Sequence, residues 1–381
     1  MELPKSVTIT RIEATVLIGT RPRVIGRNSR RGVHGQIVRE PVVRLHTDVG
    51  ITGWGWCNAK PEDGRWLVGR RLHDIFDLAT GTADDFMKFD LPLWDLVGRV
   101  LGKPVHTLLG DEGVNPVPVY DGSIYIDELD PDTGRDDGVK PMLDAVKMGM
   151  EAGFRAFKVK IGRGFQWMEK KAGFKRDVEV LHAIRALIGP EMRLLIDSNN
   201  AFTPDEAREL MRQASDCDLF WFEEPFPEDK EQDIAFKRFI QDGGWHTLIA
   251  DGESAENREA EITEIVRAGG IDVVQFDLRP YPITQWKRYM PVILETGAQV
   301  AIHNWGSHLL GFYIPQFTAG QPRFAMGEID IMTMPAVDTE GFKMVNGMRS
   351  VPDAPGFGLE IDPAVFASAQ GGDSTWSVEE D

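Results

Sequence analysis

The pattern of apolar and polar residues divides the chain into two parts. Up to about residue 115, alternating apolar residues predict antiparallel strands over 5–18 and 40–57, and residues 65–110 carry apolar residues at helical spacing. From residue 117 onward, short apolar strands alternate with amphipathic helical patterns, which is typical of a parallel β-sheet. The eight predicted strands lie in the segments VPVYDGSIY, AFKVKI, RLLIDSN, LFWFEEP, TLIADGE, DVVQFDL, QVAIHN and RFAMGE.

These two parts predict an α/β protein with two folded units. The first, residues 1–115, is expected to be an α+β domain. The second, residues 116–340, has the length and the strand–helix alternation of a TIM-type (β/α) barrel with seven or eight strands. Residues 341–381 remain as a C-terminal segment.

The segment FKVKIG, residues 157–162, contains an unusual pair of charges. Lys158 and Lys160 are two residues apart on a predicted strand, so their side chains share one face and repel each other. An edge strand with a solvent-facing side would explain them simply. The alternative is a buried site in which negative groups balance the two ammonium ions.

Ionisable residues at the C-terminal ends of the predicted strands favour the second explanation. They recur about one βα unit apart, and in a barrel the carboxyl ends of all strands converge on one mouth, where such enzymes carry out their chemistry. The residues are Lys160, Asp197, Glu223, Glu253, Asp277, His303 and Glu328.

Three carboxylates on consecutive strands predict a metal site. Asp197, Glu223 and Glu253 would crowd one mouth, and a hard divalent cation such as Mg²⁺ would relieve their repulsion. Each acid taken alone could instead be a helix N-cap or a partner in a loop salt bridge. Asp251 lies two residues before Glu253 and is the alternative third ligand.

The lysines and a histidine are candidates for acid–base chemistry. Nearby positive charge and burial lower the pKa of a lysine, so Lys160 is predicted to be a base, and Lys158 to stay cationic against a substrate carboxylate. His303 could be an ordinary core histidine. Asp277 could instead fix its tautomer and raise its basicity, with His308 as a competitor for that role.

Composition narrows the class of partners. The chain has 42 basic and 60 acidic residues and a formal charge of −18, which argues against binding nucleic acid or anionic membranes. Cys57 and Cys217 are too few for a disulfide framework. The N-terminus lacks a signal-peptide pattern and no apolar run reaches about 18 residues, so we expect a cytoplasmic protein.

With these motifs assembled, the chain resembles the enolase superfamily, and within it the mandelate racemase subgroup. The resemblance covers nearly the whole chain, and it implies that the N-terminal domain is a capping domain to which the C-terminal segment, with PGFGLEID, returns. It implies one Mg²⁺ per subunit on Asp197, Glu223 and Glu253. It also assigns the lysine pair, the Asp277–His303 dyad and Glu328 to catalysis, and Asn199 to substrate contact.

The resemblance implies abstraction of a proton next to a carboxylate. Relatives that have this lysine pair and dyad are mostly acid sugar dehydratases, so we expect a hydro-lyase that converts an aldonate or aldarate to a 2-keto-3-deoxy acid. The polar loop 26–35, predicted to be mobile on the surface, would close over the substrate with Arg27, Arg30 or Arg31. Relatives are commonly dimers to octamers, so a homo-oligomer is expected.

Two rival functions remain open from the sequence. One is a racemase or epimerase of a 2-hydroxy acid; the other is a barrel that kept the metal site as a binding protein. The sequence also departs from the family in places that affect the pocket. Arg279 and Tyr281 replace a glycine-rich stretch, and Trp305 beside His303 could narrow the substrate range.

Overall fold

The N-terminal part of the chain folds as an α+β unit in this computed structural model, which describes residues 2–129, 136–253, 258–369 and 374–380. Its main sheet is antiparallel, in the order β1–β2–β3. Its strands are β1 (Ile9–Ile25), β2 (Gly35–Thr47), β3 (Thr52–Trp56), β4 (Phe76–Asp77) and β5 (Gly81–Thr82), and its helices are α1 (Pro61–Leu67), α2 (Leu72–Ile75), α3 (Asp90–Leu101) and α4 (Val105–Leu109). We call this unit the cap.

The second part of the chain is a barrel of parallel strands. Strands β6 to β12 follow one another in sequence order, β13 pairs in parallel with β6, and a bridge from Val300 of β12 to Phe324, just before β13, completes the ring. The strands are β6 (Val117–Ile124), β7 (Ala156–Lys160), β8 (Arg193–Asp197), β9 (Leu219–Glu223), β10 (Leu248–Asp251), β11 (Val273–Val274), β12 (Gln299–Val300) and β13 (Gly327–Ile329).

Helices follow the barrel strands in the alternation that the sequence predicted. They are α5 (Lys140–Glu151), α6 (Lys170–Ile188), α7 (Pro204–Gln213), α8 (Lys230–Asp242), α9 (Glu259–Arg267), α10 (Ile283–Thr296) and α11 (Leu310–Gly320). The predicted fold class, a TIM-type barrel with an α+β cap, is confirmed. No described helix is long and apolar enough to cross a membrane.

The interior of the barrel has an apolar layer and, two residues further along several of its strands, a charged one. Ala156, Leu195 and Trp221 belong to one buried cluster inside the ring. Because side chains alternate along a strand, positions 158, 197 and 223 share that inward face. Phe157 and Val159 belong instead to the large core that includes the helices. Strand β7 lies between β6 and β8, so the edge-strand explanation of FKVKIG is wrong.

The C-terminal segment runs back over the barrel to the cap. It contains β14 (Val337–Asp338), β15 (Met344–Val345), β16 (Met348–Arg349), β17 (Glu360–Ile361), α12 (Pro363–Ala369) and β18 (Trp376–Glu379). Strand β18 pairs antiparallel with β1, with Arg11 opposite Glu379. The cap sheet is therefore built from both ends of the chain. Cys57 and Cys217 are buried free thiols.

Two glycines of β3 allow helix α3 to lie directly on the cap sheet. A Cβ added at Gly53 would lie 2.4 Å from the Cβ of Leu96, and one at Gly55 would lie 3.0 Å from the backbone nitrogen of Pro92. Both distances are shorter than ordinary van der Waals contact, so larger side chains would separate the helix from the sheet.

We expect Gly53→Ala to lower the free energy of unfolding by about 1–3 kcal/mol, because the methyl group overpacks the β3–α3 contact. Denaturant unfolding followed by circular dichroism would measure the change. Gly32→Ala is the matched control: a Cβ there meets nothing within 4 Å. Equal stability of the two variants would contradict the close packing of α3 on β3.

Candidate active site

The charged layer inside the barrel brings the two lysines into contact with carboxylates. Lys158 Nζ lies 2.7 Å from Glu223 Oε1 and 2.8 Å from Glu328 Oε1. The Lys160 ammonium donates to Asp197 Oδ2. Both lysines are almost completely buried, with 1% and 2% of their surface exposed. The repulsion between them is thus offset by direct ion pairs.

The carboxylates hold both lysines in the protonated form. Burial lowers the pKa of Lys160, but Asp197 and Glu253 outweigh it and keep the pKa above its usual value. Burial also lowers the pKa of Lys158, but the negative charges of Glu223 and Glu328 outweigh it. The pKa of Lys158 is therefore well above its usual value. The protein's own side chains therefore raise the pKa of Lys160, and the expectation that they lower it is wrong.

Asp197, Glu223 and Glu253 fit a divalent cation. Each offers a carboxylate oxygen, and these three oxygens lie within 4.8 Å of one another. Burial, together with Asp197 and Glu328 and against Lys158, raises the pKa of Glu223 to about 8. Burial is the largest cause of this rise, and the neighbouring carboxylates add to it. Hard oxygen donors in this arrangement suit Mg²⁺.

Geometry separates the two alternatives for the third ligand. Gly252 has φ +124°, which breaks the strand alternation that would place Asp251 and Glu253 on one face. The Asp251 carboxylate groups with Glu224 and Glu228, whereas Glu253 groups with Asp197 and Glu223. The arrangement favours Glu253 as the ligand.

Strands β11 and β12 place the predicted dyad together. His303 Nδ1 lies 3.1 Å from Asp277 Oδ2, and His303 Nε2 lies 2.8 Å from Glu253 Oε2. Burial lowers the pKa of His303, but Glu253 and Asp277 outweigh it, and the pKa is well above its usual value. Burial raises the pKa of Asp277, but His303 and Arg279 outweigh it, so this pKa is lowered.

Arg279 and His308 have contacts that the sequence did not reveal. Arg279 donates two hydrogen bonds to the carboxylate of Asp277: its Nη2 lies 2.7 Å from Oδ2 and its Nε lies 3.1 Å from Oδ1. Arg279 and His303 therefore share one carboxylate. The ring of His308 packs against Phe312, at a centroid distance of 4.9 Å, so His308 is not the partner of Asp277.

A cavity of about 610 Å³ opens above this site. Eight of the predicted site residues line it, Arg30 and Arg31 among them, while Lys158, Asp197, Glu223 and Glu328 lie in the charged layer beneath it. The lining residues are Asn28, Arg30, Arg31, His34, Trp56, Asn58, Tyr125, Lys160, Asn199, Asn200, Glu224, Glu253, Asp277, Arg279, Pro280, His303 and Trp305.

Hydrogen bonds attach the loop 26–35 to the barrel mouth. The buried Ser29 donates through Oγ to the carbonyl oxygen of Ser198 at 2.7 Å. Arg30 donates to the carbonyl oxygens of Asn199 and Asn200 at 2.5 and 2.6 Å. Arg27 lies outside the cavity lining and donates to the carbonyl oxygen of Leu129 at 2.7 Å. The picture of a loop lying wholly on the surface is wrong, because these long-range contacts bury part of it.

Sequence reasoning missed three residues at the site. Gln275 donates to Glu223 Oε2 at 2.9 Å; it lies two residues before Asp277, so strand alternation could have indicated it. His34 and Tyr125 line the cavity and pack edge to face, with ring centroids 5.0 Å apart. His34 follows the arginines of the loop in sequence, but no local pattern marks it as facing the mouth.

The chain matches a known family model and is similar to several named enzymes. The family model described as "Enolase C-terminal domain-like" matches residues 141–365. D-galactarolactone cycloisomerase of Agrobacterium fabrum is 28% identical to this chain. The alignment covers 84% of this chain and 88% of the length of that enzyme. Arabinonate dehydratase of Saccharolobus solfataricus is also 28% identical and covers 73% of this chain and 69% of its own.

A solved structure matches almost the full length. Galacturonate dehydratase from Geobacillus sp., complexed with D-galacturonate and 5-keto-4-deoxy-D-galacturonate, is 31% identical over 98% of this chain and 100% of its own, with a TM-score of 0.91. A mutant of that enzyme complexed with Mg has a TM-score of 0.92 at 30% identity, over 100% of this chain and 99% of its own.

We expect Glu253→Gln to weaken Mg²⁺ or Mn²⁺ binding by about 10-fold or more, because it removes a charged oxygen from the three-carboxylate group. Isothermal titration calorimetry of the chelator-treated protein would measure the affinity. Asp251→Asn is the matched control and should bind the cation like the wild type. The opposite order of the two affinities would assign Asp251 as the ligand.

Proposed function

Because the chain belongs to the enolase C-terminal domain-like family of the enolase superfamily, we propose that it is an Mg²⁺-dependent acid sugar dehydratase. The observation that carries the proposal is the juxtaposition, around one cavity, of a lysine, a three-carboxylate cation site and a histidine–aspartate dyad. Relatives that match most of the chain and are named dehydratases of sugar acids support the reaction class.

The carboxylates of Asp197, Glu223 and Glu253 would hold the ion. When bound, Mg²⁺ supplies positive charge that stabilises the negative charge developing on the substrate carboxylate and offsets the charge that keeps Lys160 protonated. Lys158, with Glu328 beside it, presents a buried ammonium group to the same carboxylate. This lysine contributes positive charge that does not have to be reorganised during the reaction.

Lys160 and His303 divide the proton transfers. In the neutral form, Lys160 takes the proton from the carbon next to the carboxylate. His303, oriented by Asp277, gives a proton to the β-hydroxyl, which leaves as water. The C–H and C–O bonds that break leave a carbon–carbon double bond bearing a hydroxyl, and this enol becomes an α-keto-β-deoxy acid.

Substrate size and polarity fit the cavity. Asn199, Trp305, Arg30 and Arg31 are the proposed contacts for the distal hydroxyls, and Arg27 is turned away from them. An aldonate or aldarate would give a 2-keto-3-deoxy acid. The Geobacillus enzyme, with its uronate and 5-keto-4-deoxy product, supports a hexuronate as a second candidate, since the same chemistry at C5 and C4 gives that product.

Two other features stay predictions. The chain is expected to form a homo-oligomer, between a dimer and an octamer, and to work in the cytoplasm. The residues assigned above to the proposed reaction all belong to one subunit.

We expect a screen of aldonates, aldarates and hexuronates with Mg²⁺ to yield an α-keto-β-deoxy acid from at least one of them, and a chelator to abolish the activity. A colour reaction for keto-deoxy acids would detect the product. Exchange of the α-proton with solvent deuterium, or epimerisation, without any keto acid would instead identify a racemase or epimerase. No turnover and no exchange would favour a binding protein.

We expect His303→Asn to lower kcat for dehydration by about 10²- to 10⁴-fold, because the hydroxyl then leaves without an acid. Lys160→Ala should remove both dehydration and α-proton exchange. His308→Asn is the matched control and should remain close to wild type, since its ring faces Phe312 and not the cavity. Full activity of both the Lys160 and the His303 variants would refute the mechanism.

A further inference from the structure

We propose that Glu40, on strand β2 of the cap, is a positioning residue that holds the barrel loop 303–309 where His303 and Trp305 face the cavity. The role rests on the proposed function, in which His303 is the acid. Glu40 lies outside the charged layer and does not line the cavity. It acts on the reaction only through the loop.

Glu40 is buried against the barrel, with 1% of its surface exposed. Its Oε2 accepts from Ser307 Oγ at 2.5 Å, and its Oε1 accepts from the backbone nitrogens of His308 at 2.5 Å and Leu309 at 3.3 Å. These amides precede helix α11, where backbone N–H groups have no partners inside the helix. One cap carboxylate thus satisfies three donors of the loop.

The loop has few regular backbone bonds of its own. Gly306 has φ +63°, and its backbone nitrogen donates to Asp330 Oδ2 at 3.2 Å. The Asn304 nitrogen donates to Glu328 Oε2 at 2.9 Å. Glu328 and Asp330 hold the first half of the loop from within the barrel, and Glu40 holds the second half from the cap. Without Glu40, the second half would lose these hydrogen bonds to the cap.

Burial of the Glu40 carboxylate is unfavourable for the stability of the fold, which argues that this group has a functional role. Burial raises the pKa of Glu40 to about 7, against the lowering effect of Ser307 and the His308 amide. Among the described residues the Glu40 carboxylate has hydroxyl and amide donors but no salt-bridge partner within 4 Å, so its desolvation is not offset by a direct ion pair. The carboxylate is useful because it ties the cap to the loop that carries His303.

A matched control exists in the same sheet. Glu13 on β1 is also buried, but its carboxylate contacts His46 at 2.7 Å, Arg11 at 2.5 Å and Arg44 at 3.6 Å, all within the cap. Glu13→Ala therefore weakens the cap without touching the barrel loop. Glu40→Ala removes the link between them. Glu40→Gln keeps one acceptor oxygen and should give an intermediate effect.

The first test needs no substrate. Hydrogen–deuterium exchange followed by mass spectrometry should show faster exchange, by about 10-fold or more, in the peptide covering 304–311 of Glu40→Ala, because the amides of His308 and Leu309 lose their acceptor. The same peptide should exchange at the wild-type rate in Glu13→Ala. Unchanged exchange in Glu40→Ala, or an equal increase in both variants, would overturn the proposal.

The second test uses the substrate identified by the screen. Glu40→Ala should lower kcat by about 10- to 100-fold with a small change in KM, since a displaced acid slows departure of the hydroxyl. Exchange of the α-proton with solvent should persist, because Lys160 lies on β7, which Glu40 does not contact. Loss of exchange together with dehydration, or wild-type kcat, would overturn the proposal.

The two proposals fail in different ways. If no acid sugar is dehydrated by the wild type, the proposed function fails, while the amide-exchange result still decides whether Glu40 anchors the loop. If Glu40→Ala does not fold, Glu40→Gln and Ser307→Ala give the same comparison in milder form. Rescue of kcat in Glu40→Gln relative to Glu40→Ala would identify the acceptor oxygen as the essential group.

Discussion

The balance of charge inside the barrel is the constraint on which the rest of the site depends. Two ammonium groups and an imidazole are buried beside Asp197, Glu223, Glu253 and Glu328. Neither set could be buried alone, because an unpaired charge in a poorly solvated interior is strongly unfavourable. Each group offsets the charge of its neighbours, so removing one charge leaves its buried partners unbalanced.

Because side chains alternate between the two faces of a strand, the charged groups form a separate layer inside the barrel. The apolar layer contains Trp221 and Leu195, and the charged layer lies two residues further along the same inward face. The outward residues of the same strands pack against helices. The fold therefore places the charged groups of the candidate site on the barrel strands, whereas loops and the cap supply much of the cavity lining.

Much of this could be predicted from the sequence, since it depends on local periodicity. The spacing of the strand-end residues identified the barrel mouth, and Lys160, Asp197, Glu223 and His303 lie where that spacing put them. The choice between Asp251 and Glu253 could not be made, because it depends on the backbone dihedral of Gly252. The protonation of Lys160 was also missed, because it depends on the sum of several through-space interactions.

Contacts between distant segments were the least predictable. Ser29 is bonded to a carbonyl 169 residues away, and Glu40 to a hydroxyl 267 residues away. No pattern along the chain encodes such pairs, because each partner has an ordinary local sequence. These contacts form only because the cap rests on the barrel.

The pairing of β18 with β1 has a consequence for how the protein is made. Arg11 and Glu379 are neighbours in one sheet, although the whole barrel lies between them in sequence. The barrel strands β6 to β13 come from one continuous part of the chain, whereas the cap sheet is complete only after β18 has been synthesised and has paired with β1. A partly synthesised chain therefore has the carboxylates and lysines of the mouth without a finished cap over them.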